Sequence, residues 1–231
     1  MANPQVDASA VPEAPIFAER PTEYVVRDAM SLGLIPFLLA GVCGFLGWFG
    51  VGTLMLGLTV FVGCFFRNPK RLIPGDARTV VAPADGRVLE AAEVELPNGE
   101  KAVRVAIFLS VFNVHVNRAP VPGRVRAIER SGTKFLAAFN ERAASHNVRL
   151  DMTLETPQGE HVVVSQITGL IARRIVCHPQ VGEFVERGCR YGLIRFGSRT
   201  DVLLPASAEL RVSRGQRVRG GCDVIAQLPR S

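Results

Sequence analysis

Histidine and lysine are scarce in this chain, and both shortages exclude chemistry. The four histidines, His115, His146, His161 and His178, are scattered and form no His-x-His pair. A membrane metallopeptidase needs clustered His, Asp or Glu ligands, so no metal is expected. The three lysines, Lys70, Lys101 and Lys134, include none in a Met-Lys-Met turn. This argues against a biotin or lipoate carrier, whose prosthetic group hangs from such a lysine. Cysteine is also thin. Cys43, Cys64, Cys177, Cys189 and Cys222 are odd in number and contain no Cys-x-x-Cys. A disulfide framework or zinc site is therefore disfavoured, and a reducing compartment is expected.

Charge is missing altogether from Ala29 to Phe66, a run of 38 residues. A bilayer core of ~30 Å takes about 20 helical residues, so this run is too long for one span and suits two short helices. Gly44, Gly47, Gly50 and Gly52 supply a turn. The expectation is an apolar helical hairpin, roughly 30–46 and 50–66, following an N-terminal lead over 1–28. Arg67, Lys70 and Arg71 come directly afterwards and place that flank on the cytoplasmic side of a cell membrane. Residues 1–66 carry a net charge of −3 and the whole chain +6, so residues 67–231 carry +9. Beside an apolar hairpin, that excess points to an anionic membrane surface rather than nucleic acid.

Beyond Phe66 the texture is β. Short runs rich in Val, Ile and Leu are broken by Gly, Pro, Asp and Asn: Val80–Val81, Arg87–Leu89, Val103–Leu109, Val121–Ile128, Val148–Glu155, His161–Thr168, Tyr191–Phe196 and Asp201–Leu204. In Val148–Glu155 apolar and polar residues alternate with period two, the mark of a strand with one buried face. One short helix is expected near Lys134–Ala144. The fold class is mainly β, a barrel- or sandwich-like catalytic domain over 67–231. Two internal echoes point to paired turns. Pro83-Ala84-Asp85-Gly86-Arg87-Val88 matches Pro120-Val121-Pro122-Gly123-Arg124-Val125, and Val185-x-x-Gly188-Cys189 matches Val218-x-x-Gly221-Cys222. Paired turns also occur in biotinyl and lipoyl sandwiches. A membrane-tethered, non-enzymatic module of that kind is the alternative reading.

The segment that carries chemistry is Arg195-Phe196-Gly197-Ser198-Arg199-Thr200-Asp201. Alone, Gly-Ser between two strands is a turn. It is also what backbone self-cleavage requires. Glycine tolerates strained conformations. The serine hydroxyl can then attack the preceding carbonyl carbon, giving an N→O acyl shift and an ester. Elimination leaves dehydroalanine, and hydrolysis leaves a pyruvoyl cap and ammonia.

Three features occur in order behind an apolar anchor: Ala82-Pro83-Ala84-Asp85-Gly86-Arg87-Val88, Phe112-Asn113-Val114-His115-Val116-Asn117-Arg118-Ala119-Pro120, and Phe-Gly-Ser-Arg. Over about residues 20–231 this closely resembles the phosphatidylserine decarboxylase family, especially its shorter class. Longer relatives have Leu-Gly-Ser-Thr at the cleavage site. The resemblance implies a zymogen cut between Gly197 and Ser198 into a β chain, 1–197, and an α chain, 198–231, that stay associated. It implies decarboxylation of phosphatidylserine to phosphatidylethanolamine and CO2 through a Schiff base with a pyruvoyl group made from Ser198. His115, helped by Asp85, is the implied base toward Ser198. His178 is a weaker candidate for turnover. Arg199 and the Arg173–Arg174 pair are candidates for holding the lipid phosphate. A homo-oligomer is compatible with this reading.

Overall fold

The computed structural model describes residues 23–140, 143–170, 174–194 and 197–229, of which 23–31 by backbone alone. Helices α1 (Glu23–Phe45) and α2 (Phe49–Phe65) pack against each other as the expected hairpin, with α1 beginning earlier than the apolar run. Over residues 32–65 the hairpin carries no charged side chain. Ile35, Leu38, Val42, Phe45, Trp48, Phe49 and Leu54 all stand exposed. With 17 residues, α2 is ~25 Å long at ~1.5 Å per residue, short of a ~30 Å hydrocarbon core. Among the described residues no helix is long and apolar enough to cross a membrane.

The rest is β. An eight-stranded antiparallel sheet runs β13-β2-β3-β11-β7-β6-β5-β9 and curls into a half-barrel. Its strands are β2 (Gly86–Glu95), β3 (Lys101–Leu109), β5 (Gly123–Ser131), β6 (Arg149–Glu155), β7 (His161–Ile167), β9 (Phe184–Val185), β11 (Ser198–Pro205) and β13 (Arg217–Val218). Two three-stranded sheets flank it. One is β1 (Thr79–Val81), β14 (Val224–Gln227) and β12 (Glu209–Leu210); the other is β4 (Val116–Arg118), β10 (Arg190–Ile194) and β8 (Ile175–Cys177). Strand β6 shows the expected alternation, with Leu150, Met152 and Leu154 buried and Arg149, Asp151, Thr153 and Glu155 half-buried. The inward side chains of β3, β5, β6, β7 and β11 form one core with Tyr191, Ile194 and Ile225.

The sequence echoes are structural. Gly86 pairs with Val218, and Gly123 with Val185. Val88 exchanges backbone hydrogen bonds with Gly215 and Gln216, as Val125 does with Gly182 and Glu183. Gly221 donates to the carbonyl of Ala82, and Gly188 to that of Ala119. The half β13-β2-β3-β11 is therefore repeated as β9-β5-β6-β7.

The helix expected over Lys134–Ala144 is reduced to one turn, α3 (Ala143–His146). Residues 141–142 of that expectation lie outside the described residues. The buried Asn147 explains the rest. Its amide donates to the carbonyls of Leu136 and Thr168 and its oxygen accepts from the Leu136 N–H. Lys134 bridges to Asn147 in place of a helical bond. A side chain that satisfies backbone groups locally competes with helix formation.

Candidate active site

Ser198 opens β11, a strand paired on both edges. It sits opposite Leu109 of β3, and the next residue, Arg199, sits opposite Ile167 of β7. Ser198 is 0% exposed, and its Oγ is buried without a hydrogen-bond partner. A buried orphan hydroxyl costs about 1–3 kcal/mol and calls for a reason. Gly197 has φ +53, the left-handed region that non-glycine residues enter at a cost. Its carbonyl lies so close to Gly169 that a Cβ on Gly169 would stand 2.0 Å from the oxygen. The bond between Gly197 and Ser198 is thus held by glycine on both sides of the contact.

The loop after β3 brings in His115. The Ser110 N–H and hydroxyl both donate to the Asn113 side-chain oxygen, which shapes the turn. The His115 Nδ1 lies 2.9 Å from the Asn113 carbonyl. A carbonyl only accepts, so Nδ1 carries the proton and Nε2 keeps its lone pair. Nε2 is buried with no partner, like the Ser198 hydroxyl. Burial holds the imidazole's pKa down to about 4, with Arg67 adding to the shift and the Asn113 carbonyl opposing it. His115 is therefore a neutral base at pH 7. The hairpin reaches this residue directly. Phe65, at the end of α2, stacks on the imidazole with ring centroids 4.1 Å apart. Arg67 caps α2 at the Cys64 carbonyl and also donates to the Phe112 carbonyl of the same loop.

Asp85 lines a cleft of about 470 Å³ together with Phe108 of β3, with Phe112 and Asn113 of the histidine loop, and with Arg87, Arg217 and Arg219. Its carboxylate is occupied. It bridges to Arg71 at 2.8 Å and accepts the Gly220 N–H at 2.7 Å. The group bonded to the His115 ring is the Asn113 carbonyl, and Asp85 stands in the adjoining cleft.

The remaining candidates separate from this centre. Arg199 is buried and grips Asp201 through two hydrogen bonds of 2.6 and 2.8 Å. Its guanidinium is engaged by a carboxylate two residues along the same strand. His178 follows β8 and bonds through its backbone to Tyr191, at the opposite end of β10 from Ile194, whose N–H points to the His115 carbonyl. Ser198 Oγ has no hydrogen-bond partner, so His178 is not bonded to it. Arg173 lies outside the described residues, and Arg174 is exposed. Among the described residues no His, Cys, Asp and Glu cluster has the form of a metal site.

Three contributors escaped the sequence reading. Gly169 and Phe65 carry no motif. Asn113 stood inside the His115 motif, but only its backbone oxygen matters for the imidazole. A fourth feature lies beneath the site. Asn117 donates to the Thr200 hydroxyl at 3.1 Å and accepts from Gln166 at 2.9 Å, so a buried polar chain ties β4, β7 and β11 together.

The family model described as phosphatidylserine decarboxylase matches residues 58–226. A phosphatidylserine decarboxylase proenzyme of Geotalea uraniireducens (strain Rf4) is 48% identical over 200 residues, covering 85% of this chain and 91% of that one. Its counterpart from Symbiobacterium thermophilum is 49% identical over 193 residues, covering 83% and 89%. That from Anaplasma phagocytophilum (strain HZ) is 44% identical over 197 residues, covering 84% and 86%.

Proposed function

The chain belongs to the phosphatidylserine decarboxylase family, and we propose on that footing that it removes CO2 from phosphatidylserine by means of a pyruvoyl group made from its own Ser198. The observation that supports this reading is that Ser198 Oγ and His115 Nε2 are both buried and both without a hydrogen-bond partner, Ser198 opposite Leu109 at the end of β3 and His115 on the loop that leaves that strand.

Maturation follows from what these residues are. His115 Nε2 accepts the Ser198 hydroxyl proton. The oxygen attacks the Gly197 carbonyl carbon, and the peptide nitrogen leaves to become the free amine of Ser198. Loss of the Cα proton then expels the Gly197 carboxylate from the ester, and water displaces ammonia. His115 suits the first step because it is neutral and needs no deprotonation to act. Gly197 supports the step because its left-handed backbone is open to glycine at little cost. Asp85 is the carboxylate of the adjoining cleft, and release from Arg71 would be its route to the imidazole.

Ser198 fits the group it is proposed to become. The position is enclosed, and β11 stays hydrogen-bonded on both edges whether or not its first peptide bond is cut. The Asn117–Thr200 bond and the ladders to β3 and β7 hold the new end of the strand, so the two chains remain associated. When formed, a pyruvoyl ketone supplies an electron sink for the charge left by the departing carboxylate. The protein's own part is to exclude water at Ser198 and to present Arg87, Arg217 and Arg219 in the cleft to the anionic groups of the substrate.

A lipid substrate requires a site at the bilayer surface. The exposed apolar hairpin provides attachment, and its contact between Phe65 and His115 fixes the site to that attachment. Insertion into one leaflet on the cytoplasmic side suits the length of α2 and the basic flank. The test is CO2 release from carboxyl-labelled phosphatidylserine in detergent micelles by the purified chain. Wild type should release it and Ser198→Ala should not. Release by the alanine variant would remove the proposal.

A further inference from the structure

One row of the large sheet sets two arginines side by side. Arg217 of β13 lies opposite Arg87 of β2, which lies opposite Phe108 of β3. The matching row of the repeated half is Phe184 of β9, Arg124 of β5 and Glu155 of β6. Where that half gives its arginine an acid, the first half has an aromatic ring, and where that half has an aromatic ring, the first half has a second arginine. Like charges directly opposite each other on a sheet are destabilising, so the pair calls for a reason. Its surroundings do not neutralise it. Both side chains line the cleft beside the histidine loop, and Asp85, the one carboxylate of that lining, is taken by Arg71. The neighbouring Arg219 has its own partner in Asp223. Arg87 donates to the neutral carbonyl of Gly215, which orients its guanidinium without cancelling the charge. Among the described residues neither Arg87 nor Arg217 has an ion-pair partner.

We propose that Arg87 and Arg217 together hold the phosphodiester of the substrate lipid, an assignment that rests on the decarboxylase reading above. Two planar guanidiniums at one cleft wall match the acceptor geometry of a phosphate. The distance from the reacting centre selects which anion they meet. Phe108 precedes Leu109, the partner of Ser198. Arg87 is therefore two strand spacings from β11, roughly 10 Å at ~4.8 Å each. In phosphatidylserine the carboxylate sits on the same carbon as the amine, so it stays beside Ser198 when the amine does. The phosphodiester lies beyond a methylene and an oxygen and extends away from that centre. The chemistry selects the same anion. Ion pairs to the carboxylate would stabilise the ground state and be lost as it departs as neutral CO2, which opposes the reaction. The phosphodiester keeps its charge throughout, so holding it positions the lipid without raising the barrier.

The experiment uses the full chain and short-chain lipids below their micelle concentration, so that attraction to a charged surface plays no part. The first probe is dihexanoyl-phosphatidylserine, read by CO2 release. The second is dihexanoyl-phosphatidylglycerol, which has the phosphodiester but neither amine nor carboxylate, read by calorimetric binding that does not require a cut chain. Arg217→Gln should raise the KM for the first about tenfold, the worth of one charge-assisted hydrogen bond, with kcat unchanged. It should raise the dissociation constant of the second by a similar factor. Arg217→Lys keeps the charge but loses the planar fork, and should recover only part of each loss. Arg124→Gln removes the matching charge from the other half of the sheet and should change neither. If Arg217→Gln weakens phosphatidylserine but not phosphatidylglycerol, the pair holds the carboxylate and the phosphodiester assignment is lost. If Arg217→Gln and Arg124→Gln behave alike with both probes, the pair is ordinary surface charge and the proposal is overturned. Binding of phosphatidylglycerol through Arg217 by a wild-type chain that releases no CO2 would uphold the pair and remove the decarboxylase reading instead.

Discussion

The two halves of the large sheet solve the same geometric problem differently. Arg87 lies opposite Phe108, which lies opposite Arg199; Arg124 lies opposite Glu155, which lies opposite His161. Arg199 therefore corresponds to His161, and Gly197-Ser198 corresponds to Gly159-Glu160. In the second half Gly159, with φ +85, closes a tight hairpin: Thr156 and Glu160 bond across it, and Gly159 donates back to Thr156. In the first half the same place is pulled open. The chain leaves β3 at Leu109 for the His115 loop and returns only at Gly197. A glycine of the same handedness remains, but it is now followed by a buried, unpaired hydroxyl and its carbonyl is crowded by Gly169. The bond proposed to break is a turn position from which the turn has been removed.

The largest expected effects sharpen that contrast. His115→Ala should slow self-cleavage by ~10²-fold or more, the usual worth of a positioned general base, as followed by gel densitometry of fresh protein. His161→Ala, which removes a histidine from the other half of the sheet, should cleave normally. Gly169→Ala comes next, since its Cβ cannot coexist with the Gly197 carbonyl as placed. Cleavage should be blocked or nearly so. The paired glycines separate strain from chemistry. Gly159→Ala has open space around it and should lower stability by about 1 kcal/mol, measured by urea unfolding, with cleavage intact. Gly197→Ala should lose cleavage by much more than it loses stability. Equal effects from the two would mean that the halves do not differ as described.

Acidity gives a smaller, signed effect. The folded pKa of His115, about 4, lies below its ordinary 6.5. Between those values the unfolded chain takes up a proton that the folded chain refuses. Stability from this group is therefore complete above about pH 6.5 and declines as the pH falls toward about 4. The cleavage rate should hold through pH 6 and fall with a midpoint nearer 4 than 6.5. Phe65→Ala opens one face of the imidazole and should move that midpoint upward. A midpoint that stays at 6.5 in wild type would contradict a buried base.

Much of this was legible in the residues, for physical reasons. Period-two alternation marks β6 because one face of the sheet is buried. The repeated Gly-Arg-Val and Val-x-x-Gly-Cys turns mark the duplication because the same hydrogen bonds recur in both halves. The hairpin shows as an absence of charge. Gly197-Ser198, His115 and Asp85 stood out only in combination. What stayed hidden depends on contacts distant in sequence. No local pattern says that Gly169 will press on Gly197, that Phe65 will stack on His115, or that Arg71 will occupy Asp85. The failed helix near Lys134–Ala144 has the same origin, since Asn147 diverts backbone bonds that propensity alone would assign to a helix.

The most direct test is the mass of the purified protein under denaturing conditions. Cleavage at the proposed bond predicts two chains, 1–197 and 198–231, the smaller one blocked to Edman degradation and lighter at its first residue by the replacement of an amine with a ketone. A single intact chain of full mass in a preparation with full decarboxylase activity would contradict the account.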